Sequence, residues 1–338
     1  MDNLISFSDK FFLAGSKGMV GSAIKKALIK KGYGNKTLGG EIFCPDRNEL
    51  DLTNFENLKK WFAIHKPSVV IIAAAKVGGI YANSSQPFEF ILNNLKIQTN
   101  IIELAWEFGV KRLLFLGSSC IYPKNCPQPI SEEYLLTSPL ESTNEYYAIA
   151  KIAGIKLCQS LRIQHKFDSF CLMPTNLYGP GDNYHPEESH VLPSLIRRFD
   201  EAKKNNLPSV TCWGTGKPFR EFLHVDDLAS ACVYVLQYWC PDQKDSPSDD
   251  KGNHLNYLNV GTGMDISIKD LAERIALAIG YKGKILWDKS KPDGTMRKRL
   301  DISRILSLGW RPKINIDDGI RATIENYLEE KSKFLLRG

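Results

Sequence analysis

Tyr147 and Lys151 stand four residues apart in Asn144-Glu145-Tyr146-Tyr147-Ala148-Ile149-Ala150-Lys151. In a helix that spacing puts both side chains on one face. An ammonium beside a phenol stabilises the phenolate and lowers a pKa of about 10, so the pair predicts a tyrosine able to give up a proton near neutrality. Tyr146 has Ala150 at the same spacing and gains no such partner. When hydride reaches a ketone carbon, charge grows on the oxygen, and a positioned phenol can protonate it as general acid. Ser118 or Ser119, just past the apolar run 113–116, can hydrogen-bond that same oxygen from the carboxyl end of a strand.

A hydride donor needs its own site, and Gly15-Ser16-Lys17-Gly18-Met19-Val20-Gly21 has the form of one. It follows an apolar strand pattern and opens a helical one, the context in which a glycine turn brings backbone and a helix amino terminus up to a pyrophosphate. Asp46 and Arg47 lie near the end of the next strand, where an acid would take a ribose diol and a base a 2′-phosphate. Lys17 adds a second cation there and tilts the reading toward NADP(H). Ala73-Ala74-Ala75 ends the third strand with side chains small enough for a dinucleotide to lie against, or for close helix packing.

These residues must be held by a regular frame. Short apolar runs predict strands over 10–14, 41–44, 68–74, 112–117 and 169–173, and segments of helical period predict helices over 18–32, 54–65, 94–108 and 144–166. That alternation is the pattern of a doubly wound parallel α/β sheet of Rossmann type, whose ligands gather at the carboxyl ends of the strands. A Gly/Pro/Asn-rich stretch over 176–186 then leads to a helix over 190–204, a strand over 209–213 and a helix over 267–280. The predicted division is a dinucleotide-binding domain over 1–175 with a return segment over 222–262, and a smaller mixed α/β lobe over 176–221 and 263–338. The polar stretch 241–252 is expected to be a mobile loop.

At 338 residues the chain exceeds the usual size of one core, which agrees with two unequal lobes. Lys and Arg number 44 against 38 Asp and Glu, with no clustered basic stripe, which argues against nucleic acid and allows an anionic small molecule. The longest apolar run, 69–75, is too short to span a bilayer. The opening, with Asp2 and a short polar lead, shows no targeting segment, so a cytoplasmic protein is expected. The 8 cysteines have no paired C-x-x-C spacing and read as reduced thiols, with no metal site implied.

The G-x-x-G-x-x-G turn, the serine strand end and Tyr-x-x-x-Lys together resemble the extended short-chain dehydrogenase/reductase family. A closer resemblance, to the GDP-L-fucose synthases within it, rests on blocks spread over nearly the whole chain. These are AAAKVGGI (73–80), LFLGSSCIYPK (114–124), YAIAKIAGIKLC (147–158), MPTNLYGP (173–180), SHVLPSLIRR (189–198), REFLHVDD (220–227) and the late Pro292-Asp293-Gly294-Thr295. Met296 departs from the proline that the family commonly has there.

The resemblance implies an enzyme that epimerises GDP-4-keto-6-deoxy-D-mannose at C3 and C5 and then reduces C4 with NADPH. It selects Ser118 as the reductase serine and implies that Cys120 is the epimerisation base and His190 the acid. It further implies cofactor contacts from Asp51-Leu52, Ala74, Leu116, Gly117, Ser118, Ser119, Tyr147, Lys151, Pro174-Thr175-Asn176-Leu177 and His190. Substrate contacts fall on Arg198, Trp213, Arg220, Asp293 and Lys298, the arginines suiting a diphosphate. A free thiol has a pKa of about 8.5, so Cys120 needs a nearby positive charge, for which His190 or the nicotinamide are candidates. The helices over 94–108 and 144–166 pair across a twofold axis in many relatives, which implies a homodimer. The alternatives are another nucleotide-sugar epimerase or reductase of the same family, or an NADP-binding regulator without turnover.

Overall fold

The computed structural model describes residues 3–291 and 293–337. Asp2, Pro292 and the side chain of Ile80, all drawn on above, lie outside the described residues. The first half alternates β1 (Lys10–Ala14), α1 (Met19–Lys30), β2 (Glu41–Phe43), α2 (Phe55–His65), β3 (Val69–Ile72), α3 (Ile80–Ser85), α4 (Pro87–Glu107), β4 (Arg112–Leu116), α5 (Glu145–His165) and β5 (Ser169–Pro174). There follow β6 (Asn176–Tyr178), α6 (Val191–Lys204), β7 (Ser209–Trp213), β8 (Phe219–His224), α7 (Val225–Tyr238), β9 (Tyr257–Val260), β10 (Asp265–Ser267), α8 (Ile268–Ile279), β11 (Lys284–Asp288), β12 (Arg297–Lys298), α9 (Ser303–Ser307) and α10 (Ile316–Ser332).

The main sheet runs β2-β1-β3-β4-β5-β9 and every neighbouring pair is parallel. Its central strands are unbroken apolar runs because helices cover both faces: Val69, Val70, Ile71 and Ile72 are wholly buried, as are Leu113, Leu114 and Phe115. The chain leaves β1 to one side for β2 and returns on the other side as β3. A crevice therefore opens beyond the carboxyl ends of β1 and β3, the place where doubly wound sheets bind ligands. The fold class is the predicted one.

α4 begins at Pro87, seven residues before the predicted helix over 94–108. Proline is suited to the first turn of a helix, where its missing N–H costs nothing. Asn94 reads as a helix start but is buried inside α4, where its side chain accepts from the Lys76 N–H (2.8 Å) and donates to the Lys76 carbonyl (3.0 Å), pinning the loop after β3.

A second core gathers Leu195, Ile196 and Phe199 of α6, Leu271 and Ile275 of α8, and Ile320 and Ile324 of α10. Over it lie β8, paired with β6, β10 and β12, and the β7–β11 pair. The carboxyl-terminal stretch does not belong wholly to this lobe. Leu300, Ile302, Ile305 and Trp310 pack into the first core, with apolar residues of β9 and α7 in the same cluster. The 241–252 stretch is tied down by Trp239 Nε1 donating to Ser246 Oγ (2.9 Å) and by Arg162 Nη1 on Asp242 (2.5 Å).

Candidate active site

The glycine turn joins β1 to α1 at the mouth of the crevice. Gly15 has φ +88, and a Cβ there would stand 2.6 Å from the backbone nitrogen of Ala74, so turn and third strand touch through backbone alone. A Cβ on Gly21 would meet the Gly15 carbonyl at 2.1 Å, which lets α1 close onto the turn. Gly18 differs: its φ is −77, and the nearest atom to an added Cβ is the Gly15 carbonyl at 3.4 Å. Nothing in the protein demands a glycine at 18. An anion lying against the amino terminus of α1 would. Met19 and Val20 begin that helix half-buried against the core, and the buried Ser16 directs its hydroxyl to the Cys44 carbonyl (3.4 Å).

Lys17 is exposed and lies 2.7 Å from Asp46 Oδ2, so its charge is matched by an acid rather than standing free as the sequence suggested. Arg47 is exposed beside it. Asp51 spends its carboxylate on a turn, accepting from the Thr53 N–H (2.9 Å) and hydroxyl (2.8 Å), and the Leu52 carbonyl accepts from Asn100 (3.0 Å). Both bonds to Asp51 end on Oδ1 of an exposed side chain.

Ser118 follows β4 in extended conformation and accepts a hydrogen bond from the Cys120 N–H (3.2 Å), while the side chain of Ser119 turns inward and is buried. Tyr147 hydrogen-bonds with Ser118, so serine and phenol share one corner of the cleft. Lys151 is buried and donates to the Leu116 carbonyl (2.8 Å), with its ammonium 5.9 Å from the Tyr147 ring centre. The expected acidification of Tyr147 is not what the structure shows. Burial pushes the phenol well above its usual pKa, Cys120 adds to this, and the bond to Ser118 only partly offsets it. Burial lowers the Lys151 ammonium to about 8, because desolvation disfavours its charged form.

The strand-end region behind β5 is partly spoken for. Pro174 and Thr175 are buried, the Thr175 N–H donates to the Val260 carbonyl (3.0 Å), and Asn176 donates to the Glu221 carbonyl (2.8 Å). Leu177 lies half-buried in β6. Gly117 is required by packing, since a Cβ would strike Met173 Sδ at 2.3 Å.

Cys120 is half-buried at the rim of a small cleft shared with Lys124, Glu141, Thr295, Arg297 and Lys298. Asn144 donates to its sulfur at 3.4 Å and Lys298 at 3.8 Å. β12 pairs with β8 in the register Lys298–Arg220, which sets the lysine, expected as a substrate contact, beside the thiol. His190 caps α6 with its backbone only. The residue is exposed to solvent, yet the surrounding protein lowers its pKa through desolvation. Arg220 donates to the Thr295 carbonyl and lies within the fields of Asp293, Glu141 and Cys120. Asp293 in turn accepts from the Thr215 N–H (2.9 Å) and hydroxyl (2.7 Å). Trp213 is 66% exposed at the end of β7, with Lys291 over its ring at 5.5 Å, so it is not a core residue. Arg198 leans from α6 onto the Thr211 carbonyl.

Comparison with known proteins places this geometry. The model of the NAD dependent epimerase/dehydratase family matches residues 11–246, which takes in the glycine turn, Ser118, Tyr147 and Lys151. The chain belongs to that family. It is 53% identical over 322 residues to GDP-L-fucose synthase 1 of Arabidopsis thaliana, covering 95% of this chain and 94% of the relative. It is 47% identical over 329 residues to GDP-L-fucose synthase of Escherichia coli K12, covering 96% and 98%. Among solved structures it resembles a GDP-mannoheptose C4 reductase from Campylobacter jejuni with NADP bound, at 36% identity and TM-score 0.84, covering 96% and 99%.

Within this epimerase/dehydratase frame, sequence reasoning missed Asn144 and Glu141. Asn144 lies three residues before Tyr147, at the start of α5, where its side chain makes no capping hydrogen bond. No spacing in the sequence marks either as a neighbour of Cys120, because the contact spans two elements that meet only in the folded chain.

Proposed function

We propose that the protein completes GDP-L-fucose synthesis, epimerising GDP-4-keto-6-deoxy-D-mannose at C3 and C5 and then reducing the C4 ketone with NADPH. The observation that carries this reading is the thiol of Cys120 in the same corner as Ser118 and Tyr147, close enough for Cys120 to perturb the phenol. Full-length likeness to GDP-L-fucose synthases supports it from the side of sequence.

The residues fit a dinucleotide. The open space over Gly18, the α1 amino terminus and the cations Lys17 and Arg47 would hold its phosphates, and Lys151, Leu116 and 174–177 border the place for its nicotinamide. When bound, NADPH supplies hydride to C4. The chain's own residues do the rest. A ketone at C4 acidifies the protons on C3 and C5, so a thiolate at Cys120 can take each α-proton and a protonated His190 can return one from the opposite face. Ser118 holds the C4 oxygen throughout, and Tyr147 gives it a proton as the ketone becomes an alcohol. Burial keeps Tyr147 protonated and therefore competent as the acid. Arg198 and Arg220 suit the diphosphate, Trp213 the nucleotide or sugar, and Asp293 orders the Thr215 loop at the same rim.

No helix among the described residues is long and apolar enough to cross a membrane, which supports a cytoplasmic place. A homodimer through α4 and α5 is supported by exposed Tyr146, Ile149 and Ile163 along α5, and light scattering reads its mass.

Incubation with GDP-4-keto-6-deoxymannose and NADPH in D2O tests the reaction. The expected product is GDP-L-fucose with deuterium at C3 and C5, and C120S should lose that incorporation. Reduction to the unepimerised 6-deoxyhexose, or exchange at the wild-type rate in C120S, would overturn the proposal.

A further inference from the structure

An ordinary thiol is mostly protonated at neutral pH, so a cysteine that removes a carbon-bound proton needs charge and hydrogen bonds that favour its thiolate. The residues expected to supply these were His190 or the nicotinamide. Two side chains of the chain itself lie against the sulfur. Lys298 Nζ is 3.8 Å from Cys120 Sγ and Asn144 Nδ2 is 3.4 Å away, so the sulfur has two donors from two sides. His190, with its pKa lowered by crowding, is the weaker source of charge.

We propose that Lys298 and Asn144 are positioning residues that hold Cys120 as the thiolate which takes the sugar's α-protons. Both are built in. Lys298 is fixed by the pairing of β12 on β8, opposite Arg220. Asn144 stands at the start of α5, three residues before Tyr147, and its Oδ1 is buried with no hydrogen-bond partner among the described residues. An amide that leaves its carbonyl unsatisfied while giving its N–H to sulfur is held in a costly orientation, and the sulfur contact is the bond it makes there.

The other charged groups around the thiol are of both signs, and Arg297 is itself paired with Asp265 at 2.6 Å. Arg220 from β8 feels Cys120 directly, and Lys124 and Arg297 line the same cleft. The acid there, Glu141, is engaged by Lys124 at 3.0 Å, which limits its opposition to a thiolate. Tyr147 and Tyr122, the latter lining the same cleft, stay neutral because burial raises both phenols. The arrangement also sets the two proton carriers apart: Lys298 reaches Cys120 from the side of the second lobe, while burial keeps Tyr147 protonated in the first.

The role assigned to the thiolate rests on the epimerase reading, but the ion pair can be read on the free protein. Iodoacetamide labelling of Cys120, followed by peptide mapping to separate it from the other cysteines, is measured from pH 6 to 10 in wild type, K298M, K298R and N144A. Labelling at pH 7 should slow about ten-fold in K298M with its midpoint moved to higher pH, recover in K298R, and slow by a smaller factor in N144A. Deuterium entry at C3 and C5 should fall in K298M by at least the same factor, with little change in KM. Wild-type labelling in K298M, or a raised KM with labelling unchanged, would overturn the inference and return Lys298 to substrate binding. A wild-type enzyme that labels as expected yet exchanges no deuterium would instead refute the proposed function and leave the ion pair intact.

Discussion

Replacing Gly15 and Gly18 separately by alanine should divide folding from cofactor binding, although both sit in one turn. At Gly15 the backbone has φ +88, which costs an L-residue about 1–2 kcal/mol. The new methyl would also lie 2.6 Å from the Ala74 nitrogen, an overlap that costs about 1–3 kcal/mol more as strand and turn are forced apart. G15A should therefore lose about 2–5 kcal/mol of stability. At Gly18 φ is −77 and an added Cβ has 3.4 Å to its nearest neighbour, so only the change of cap residue remains, about 0.5–1 kcal/mol. That methyl would fill the space through which a pyrophosphate reaches the amino terminus of α1, and NADPH affinity should drop at least about ten-fold, or 1.4 kcal/mol. Urea unfolding and NADPH fluorescence titration on both variants read the two effects. If G18A binds NADPH like wild type, the glycine turn is not the pyrophosphate cradle; if G15A unfolds at the wild-type midpoint, the contact with Ala74 is wrong.

Two further outcomes follow from the charges in the cleft. Lys151 has its pKa lowered to about 8 by burial, so the unfolded chain binds more protons between pH 8 and the ordinary lysine range, and stability should rise with pH across that window by up to about 3 kcal/mol. K151M should lack this slope while abolishing reduction, and parallel melting curves from pH 8 to 10 would refute it. Lys17 is paired with Asp46, so D46A should free it for a 2′-phosphate and raise the preference for NADPH over NADH by roughly two- to five-fold, while K17M lowers it. Unchanged preference in both variants would remove Lys17 from cofactor selection.

The elements that were legible in the sequence are those whose pattern is local. β1 was read over the same residues that form it, and α1, α2 and α5 to within one or two at each end, because burial on both faces writes an unbroken apolar run and helix packing writes a 3.6-residue period. α4 begins at Pro87, ahead of the predicted start at 94, and the burial of Asn94 against the Lys76 loop is set only by the fold. The glycine turn, Ser118 and the Tyr147–Lys151 pair were legible for the same local reason: each is a residue type at a fixed spacing on a strand end or helix face.

What spacing could not convey is the environment that sets each group's charge. Four residues of helix place Lys151 near Tyr147, yet whether the phenol gains or loses acidity depends on how much protein surrounds both, and here burial raises the phenol's pKa and lowers the ammonium's. Lys17 was legible as a cation, but its partner Asp46 is brought to it by the pairing of β1 with β2. Cys120 and Lys298 are separated by most of the chain and meet because β12 joins β8 beside the first lobe. The amino-acid sequence by itself determined the parallel sheet, the glycine turn and the chemical types at the strand ends, since these depend on steric and hydrophobic periodicities within a few residues. Only the tertiary structure decided which side chains share a field, because desolvation and charge pairing depend on distances in space that elements far apart in the chain create together.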